Sequence, residues 1–171
     1  MAHENLIRLV AIMDQLRSPG GCPWDAEQTH ESLLKYLLEE SYEYIESVEK
    51  DDRVHMREEL GDLLLQVYFH ARIAEEHPSD PFSIDDVAKG IADKLISRHP
   101  HVFSNVKVES SDDVLENWER IKNAEKGRTT VHDGVPIGQP ALPLATKLVY
   151  RAKKNRIGTP ESGEQIGRAH V

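Results

Sequence analysis

Two short acidic motifs contain the residues best suited to chemistry in this 171-residue chain. The first is EESYE at residues 39–43, and the second is ELGD at residues 59–62. In an α-helix, acids three or four residues apart lie within about 60° of each other around the helix axis. Each motif therefore places its carboxylates along one side of a helix, and the leucines that flank it put that side at the border of a hydrophobic core.

Several carboxylates that converge on a half-buried site need cations, because their mutual repulsion and loss of hydration are otherwise too unfavourable. Oxygen ligands favour Mg²⁺ or Mn²⁺ over Zn²⁺, which prefers cysteine and histidine. Since Mg²⁺ commonly takes its remaining ligands from water and phosphate, the motifs indicate metal-assisted attack of water on a phosphate chain. The alternative is an ordinary solvated acidic face, which is the more frequent explanation of either motif alone.

Apolar residues at helical spacing, with capping and breaking residues between them, predict helices along almost the whole chain. The predicted helices cover residues 6–16, 30–50, about 53–77, 83–98, about 110–126 and 144–156. Residues 127–143, with three prolines and three glycines, are predicted to be a loop or linker, and the tail after Gly158 to be disordered. Only residues 102–108 resemble a strand, and one short strand makes no sheet. The predicted fold class is therefore all-α, an antiparallel helical bundle.

A short break at Asp51-Asp52 separates the second and third predicted helices, so these two helices should pack antiparallel. Glu43 lies eight residues before Asp51, and Glu59 lies seven residues after Asp52. The hairpin therefore brings the two acidic motifs to a similar height, facing each other. Gly61 inside the third helix costs about 0.5–1 kcal/mol relative to alanine, which suggests a close approach of the helices there.

Length and composition exclude several classes of protein. The formal net charge of −9 argues against sequence-independent binding to nucleic acid, which requires basic patches. No segment approaches the ~18 consecutive apolar residues of a membrane span. The single cysteine, Cys22, allows no intrachain disulfide and favours a cytoplasmic location. The acidic excess lies in residues 1–126, which we predict to be one domain, followed by a basic linker, helix and tail at residues 127–171.

Two pairs of residues could bind the phosphates and base of a nucleotide. Lys94 and Arg98 are four residues apart on one predicted helix and share a face, and arginine is suited to bidentate contact with phosphate. Trp118 and Lys122 have the same spacing on the next helix, where the indole could stack on a base. Core packing is the more common fate of a single tryptophan on a helix, and solvation is the more common fate of surface lysine and arginine.

The motifs together resemble the MazG family of nucleoside triphosphate pyrophosphohydrolases, in order and at the family's spacing, from about residue 6 to residue 156. The matching stretches are GGCPWDAEQTH (20–30), LLEESYEYIES (37–47), REELGDLLLQVYFHA (57–71), IADKLISRHPHVF (91–103) and VLENWERIKNAEKGR (114–128). The resemblance implies hydrolysis of (deoxy)nucleoside triphosphates to the monophosphate and pyrophosphate, a helical bundle completed by homodimerisation, and possible roles in cleaning the nucleotide pool.

The resemblance also implies a role for individual residues. The four expected Mg²⁺ ligands, with Mn²⁺ as a substitute, are Glu40, Glu43, Glu59 and Asp62. Glu39 is expected to orient or deprotonate the attacking water, or to complete a second metal site. Four further positions match residues that contact the nucleotide in the family: Lys94, Arg98, Trp118 and Lys122.

Two departures from the family pattern support a different function. Longer members carry two such domains, and the stretches around residues 20–25 and 98–103 resemble their first domain, so we expect this chain to be the N-terminal part of a longer protein. The active second domain tends to carry lysine at the positions of Tyr36 and His55, which weakens the expected grip on phosphate. The alternative is thus a catalytically weak or inactive module that serves dimerisation or regulation.

Overall fold

A computed structural model describes residues 3–108, 110–126, 133, 135–136, 138 and 140–154. The chain divides into two compact units, Met1–Leu95 and Ile96–Val171. The described residues form the helices α1 Glu4–Arg17, α2 Pro23–Glu27, α3 His30–Glu49, α4 Arg53–Ala74, α5 Ile84–Arg98, α6 Pro100–Phe103, α7 Ser111–Lys126 and α8 Ala141–Lys154. Since they contain no strand, the predicted all-α class is confirmed.

Side-chain caps define where the two longest helices begin. The Thr29 hydroxyl accepts a hydrogen bond from the Ser32 backbone N–H, and the Ser32 hydroxyl accepts one from the Thr29 N–H, so a reciprocal capping box starts α3. One Asp52 carboxylate oxygen accepts from the backbone N–H groups of Val54 and His55 and starts α4. Each cap satisfies donors that have no partner within their own helix.

The connection between α3 and α4 is short enough to make the two helices an antiparallel hairpin. Asp51 has a φ of 53°, in the left-handed region that aspartate tolerates better than most residues. The Asp52 N–H then donates to the Ser47 carbonyl at 2.9 Å, which closes the turn back onto the end of α3. The contact between α3 and α4 is the most extensive helix–helix contact in the first unit, and this hairpin carries both acidic motifs.

The core of the first unit lies where α1 and α3 meet α4. Met13, Leu33 and Phe69 are buried at its centre, with half-buried apolar side chains around them. Arg17, at the end of α1, forms an ion pair with Glu76 just beyond α4, at 2.8 Å between Nη2 and Oε2. These contacts fix the hairpin against the rest of the unit.

Four local predictions differ from the structure. The close helix approach expected at Gly61 is wrong, because a Cβ added there would meet no atom of the described residues within 4 Å. Residues 102–108 form no strand: Pro100 begins the short helix α6, and the N–H groups of Val102 and Phe103 both donate to the His99 carbonyl. The helix predicted to end near residue 77 ends at Ala74, because the next turn changes to hydrogen bonds over three residues. The last helix begins at Ala141, because Pro143 is tolerated in a first turn, where its missing N–H has no partner to lose.

Some predictions cannot be compared with the structure. The tail after Gly158 and most of the predicted linker between residues 127 and 139 lie outside the described residues. Among the helices that are described, none is long and apolar enough to cross a membrane.

Candidate metal centre

The α3–α4 hairpin brings carboxylates from both acidic motifs together. Glu40 and Glu43 of α3 and Glu59 of α4 each offer an oxygen, and these three oxygens lie within 4.8 Å of one another. In the described part of the chain, no other three acidic, histidine or cysteine side chains converge in this way. The hairpin turn therefore produces the juxtaposition that the sequence spacing predicted.

Asp62 and Glu39 lie around this three-carboxylate cluster. The negative charge of Asp62 raises the pKa of both Glu40 and Glu59, so Asp62 is close to both helices' acids. Glu39 is exposed and raises the pKa of Glu40 less than the other three acids do. The arrangement is thus a cluster of three, a fourth carboxylate beside it, and Glu39 at its outer edge.

Burial and mutual repulsion make the ionised form of two carboxylates in the cluster less favourable, which raises the pKa of Glu40 and of Glu59. Burial is the largest cause of the raised pKa of Glu40, followed by the charges of Asp62, Glu43 and Glu59. Burial is also the largest cause of the raised pKa of Glu59, followed by Glu43 and Asp62. A divalent cation would reverse these effects, since it favours the ionised form of every carboxylate around it.

The donor set suits a hard cation. The converging groups are all carboxylates, which Mg²⁺ and Mn²⁺ accept, and neither histidine nor cysteine belongs to the cluster. The half-buried position of Glu40 and Glu59 limits competition from solvent. These residues could therefore hold Mg²⁺ and leave positions for water or phosphate oxygen.

A small cavity adjoins the cluster at the turn of the hairpin. Its volume is about 230 Å³, and its lining residues are Glu43, Glu46, Ser47, Lys50, His55 and Glu59. Lys50 forms an ion pair with Glu46, and His55 Nδ1 lies 2.8 Å from Asp52 Oδ2, which raises the pKa of His55. Sequence reasoning missed Lys50, because its place in the cavity depends on how the chain turns after α3.

Three of the predicted nucleotide-binding residues meet in the second unit. The guanidinium carbon of Arg98 lies 5.2 Å from the centre of the Trp118 ring, and Lys122 Nζ lies 4.3 Å from it. Both cations therefore interact with the half-buried indole, within the range of cation–π attraction. Lys94, on the preceding turn of α5, is exposed.

Glu125 is a residue of this second group that sequence reasoning missed. Its Oε2 accepts hydrogen bonds from Nε and Nη2 of Arg98 at 3.0 and 2.7 Å. The available signal was its position on α7, three residues after Lys122 and seven after Trp118, which places all three on one helix face.

Comparison with known proteins decides the family. The model of the MazG nucleotide pyrophosphohydrolase domain matches residues 28–103, which include both acidic motifs. A 26.1 kDa protein of Streptomyces cacaoi is 49% identical over 165 residues, covering 95% of this chain and 67% of that protein. The chain belongs to the MazG family.

Other MazG relatives carry a functional name. The nucleoside triphosphate pyrophosphohydrolase of Mycobacterium tuberculosis is 52% identical over 151 residues, covering 88% of this chain and 46% of that protein. The protein of the same name from Escherichia coli K12 is 44% identical over 148 residues, covering 84% of this chain and 56% of that protein. This MazG chain thus spans about half the length of these named relatives.

A solved structure supports the MazG fold. The crystal structure of a MazG-related protein from Thermotoga maritima is similar with a TM-score of 0.57 and 28% sequence identity. The similarity covers 68% of this chain and 98% of that one.

Proposed function

We propose that this MazG chain hydrolyses (deoxy)nucleoside triphosphates to the monophosphate and pyrophosphate, with Mg²⁺ as cofactor and Mn²⁺ as a substitute. The observation that carries the proposal is the convergence of Glu40, Glu43 and Glu59 within 4.8 Å on one hairpin. The names of relatives at 44–52% identity support the same reaction.

The carboxylates have distinct roles in this proposal. Glu40, Glu43, Glu59 and Asp62 would hold the metal, which supplies Lewis-acid stabilisation of charge on the phosphate oxygens when bound. Glu39, exposed at the outer edge, orients the attacking water or accepts its proton. The water oxygen bonds to the α-phosphorus while the bond from that phosphorus to the oxygen bridging it to the β-phosphate breaks. Pyrophosphate leaves with the electron pair of that bond on the bridging oxygen.

The nucleotide itself requires positive and aromatic partners. We assign Lys94, Arg98, Trp118 and Lys122 to the substrate, with the arginine and lysines on phosphate. The clustering of Arg98 and Lys122 around one indole supports this assignment, because it concentrates charge beside a flat apolar surface. The cavity next to the metal-binding acids also contains the cationic side chain of Lys50 and the imidazole of His55, whose pKa Asp52 raises.

We further propose that the chain forms a homodimer, acts in the cytoplasm and removes unwanted nucleotides from the pool. Large apolar side chains remain exposed along the hairpin, including Leu34, Leu38 and Ile45 of α3 and Leu60 and Val67 of α4. Their number supports a protein partner for this surface. The single cysteine supports a reducing compartment.

The alternative function, a catalytically weak or inactive MazG module, has two observations in its favour. Tyr36 packs against the core, with its ring 5.9 Å from that of Trp24, and His55 is engaged by Asp52. The active second domain of longer family members tends to carry lysine at these two positions. In this chain, both positions have side chains that contact other residues of the protein. A module of this kind would bind Mg²⁺ without turnover.

The products and the metal requirement separate these two functions. We expect chromatography of reactions with a panel of deoxynucleoside triphosphates to show monophosphate and pyrophosphate in equal amounts with Mg²⁺ present, and neither product with excess chelator. Mn²⁺ should restore activity after chelation. Release of nucleoside diphosphate and inorganic phosphate would contradict the proposed reaction. Mg²⁺ binding without formation of any product would favour the inactive module.

A further inference from the structure

The side chains of Arg17 and Arg98 are both buried, and each donates hydrogen bonds from Nε and Nη2 to a glutamate. The side chain of Arg17 is 4% exposed and that of Arg98 is 8% exposed. Arg17 donates from Nε and Nη2 to Glu76 at 3.0 and 2.8 Å. Arg98 donates from Nε and Nη2 to Glu125 at 3.0 and 2.7 Å. The two side chains are similarly buried, but Glu76 accepts on both of its oxygens whereas Glu125 accepts both hydrogen bonds from Arg98 on Oε2.

The remaining nitrogen of the guanidinium distinguishes the two arginines. Arg17 Nη1 donates to the backbone carbonyls of Asp25 and Gln28, so all three of its nitrogens have partners within the protein. The hydrogen bonds of Arg98 to other described residues use Nε and Nη2 alone. Arg17 therefore uses all of its nitrogens to connect parts of the protein. Arg98, in contrast, leaves the two N–H groups of Nη1 available for an acceptor outside the described residues.

Glu125 is itself held in place. Ser97 donates from its hydroxyl to Glu125 Oε1 at 2.8 Å, while Arg98 occupies Oε2. The Trp118 ring supports the guanidinium from another direction, at 5.2 Å. Both oxygens of Glu125 therefore accept hydrogen bonds from neighbouring side chains, and the Arg98 guanidinium contacts both a carboxylate and an indole.

We propose that Glu125 is a positioning residue that holds Arg98 with its Nη1 edge directed to a phosphate group of the nucleotide. This inference rests on the proposed function, because it takes Arg98 to bind the substrate. An arginine side chain has many rotamers, and fixing one of them before binding removes an entropic cost from the binding step. The guanidinium can serve a carboxylate with one edge and a phosphate with another, since its donors form a planar fork.

The test is calorimetric binding of a non-hydrolysable nucleoside triphosphate analogue to Mg²⁺-loaded protein, together with steady-state kinetics. Glu125→Ala is the main variant, and Glu125→Gln keeps one hydrogen-bond acceptor if the alanine variant folds poorly. Glu76→Ala is the control, since it removes the carboxylate that accepts from Nε and Nη2 of Arg17, a carboxylate that also pairs with Arg72. Mg²⁺ binding in the absence of nucleotide is measured for each protein.

We expect Glu125→Ala to weaken analogue binding and raise KM by on the order of tenfold, with a smaller change in kcat and unchanged Mg²⁺ binding. Glu125→Gln should recover part of the affinity, and Glu76→Ala should lower the melting temperature with little change in affinity. Unchanged or tighter binding by Glu125→Ala would overturn the inference, as would an equal loss in Glu76→Ala. If the unmodified protein neither binds the analogue nor hydrolyses nucleotide, the proposed function fails as well. If the unmodified protein is active but Glu125→Ala has the same analogue affinity and KM, only this inference is contradicted.

Discussion

At the scale of single residues, the carboxylates of the candidate metal centre lower the stability of the metal-free fold. Glu40 is half-buried among other acids, and burial followed by the charge of Asp62 raises its pKa. The ionised form is therefore less favourable in the folded chain than in the unfolded one. A site of this kind contributes to function at the expense of stability, and a bound cation offsets the repulsion.

Replacement of Glu40 by glutamine tests this opposition. Because Glu40→Gln removes one repelling charge and keeps the side-chain shape, we expect the metal-free melting temperature at pH 7 to rise by about 1–3 °C. The further rise on adding Mg²⁺ should shrink, because one ligand charge is lost. Glu49→Gln, on the same helix and exposed, is the control and should change neither value. A lower metal-free melting temperature with an undiminished Mg²⁺ effect would contradict this account.

At the scale of elements, the α3–α4 turn sets the distance between the two acidic motifs. Asp52 starts α4, and its carboxylate also engages the imidazole of His55, which lines the cavity beside the cluster. The backbone N–H and the imidazole of His55 hold the pKa of Asp52 below its usual value, and Asp52 in turn raises the pKa of His55.

The Asp52 cap gives the hairpin a pH dependence of known sign. A lowered carboxyl pKa stabilises the fold above the unfolded value of about 3.9, and this contribution is lost as the pH falls through the folded pKa. A raised histidine pKa stabilises the fold below about 6.5, and this contribution is lost as the pH rises through the folded pKa. Asp52→Asn retains a capping side chain but removes both effects.

Melting temperatures across the pH range should therefore separate the two proteins. We expect the advantage of the unmodified chain over Asp52→Asn to be greatest near pH 5, and to decline toward pH 2 and toward pH 8. The comparison between the two proteins cancels the titration of the distant acids. A difference that stays constant over this range would show that the charge of Asp52 has no part in the cap.

The elements also show what could be predicted from the sequence. Apolar spacing and the break at Asp51-Asp52 predicted α3 and α4, and the short turn between them made the meeting of Glu43 and Glu59 predictable. The five-residue helix α2 is too short to show a periodic pattern. Residues 102–108 have strand-like composition, yet local hydrogen bonds to His99 favour a helical turn at their start. The Arg98–Glu125 ion pair joins residues 27 positions apart on different helices, where spacing carries no information.

At the scale of the whole molecule, this MazG chain corresponds to about half of the named relatives. It contains both acidic motifs on one hairpin, and the side chains of Arg98 and Lys122 lie against Trp118. The central claim is that the carboxylate cluster carries catalysis in this chain.

Pyrophosphate release by two neighbouring variants tests that claim most directly. Glu59→Gln removes a carboxylate of the cluster, while Glu58→Gln removes an exposed carboxylate one residue away on the same helix. With Mg²⁺ and a deoxynucleoside triphosphate, we expect Glu59→Gln to lose at least about 100-fold in kcat/KM, as expected for a lost metal ligand, while Glu58→Gln stays within about threefold of the unmodified chain. Equal activity in all three proteins, or no activity in the unmodified chain, would contradict it.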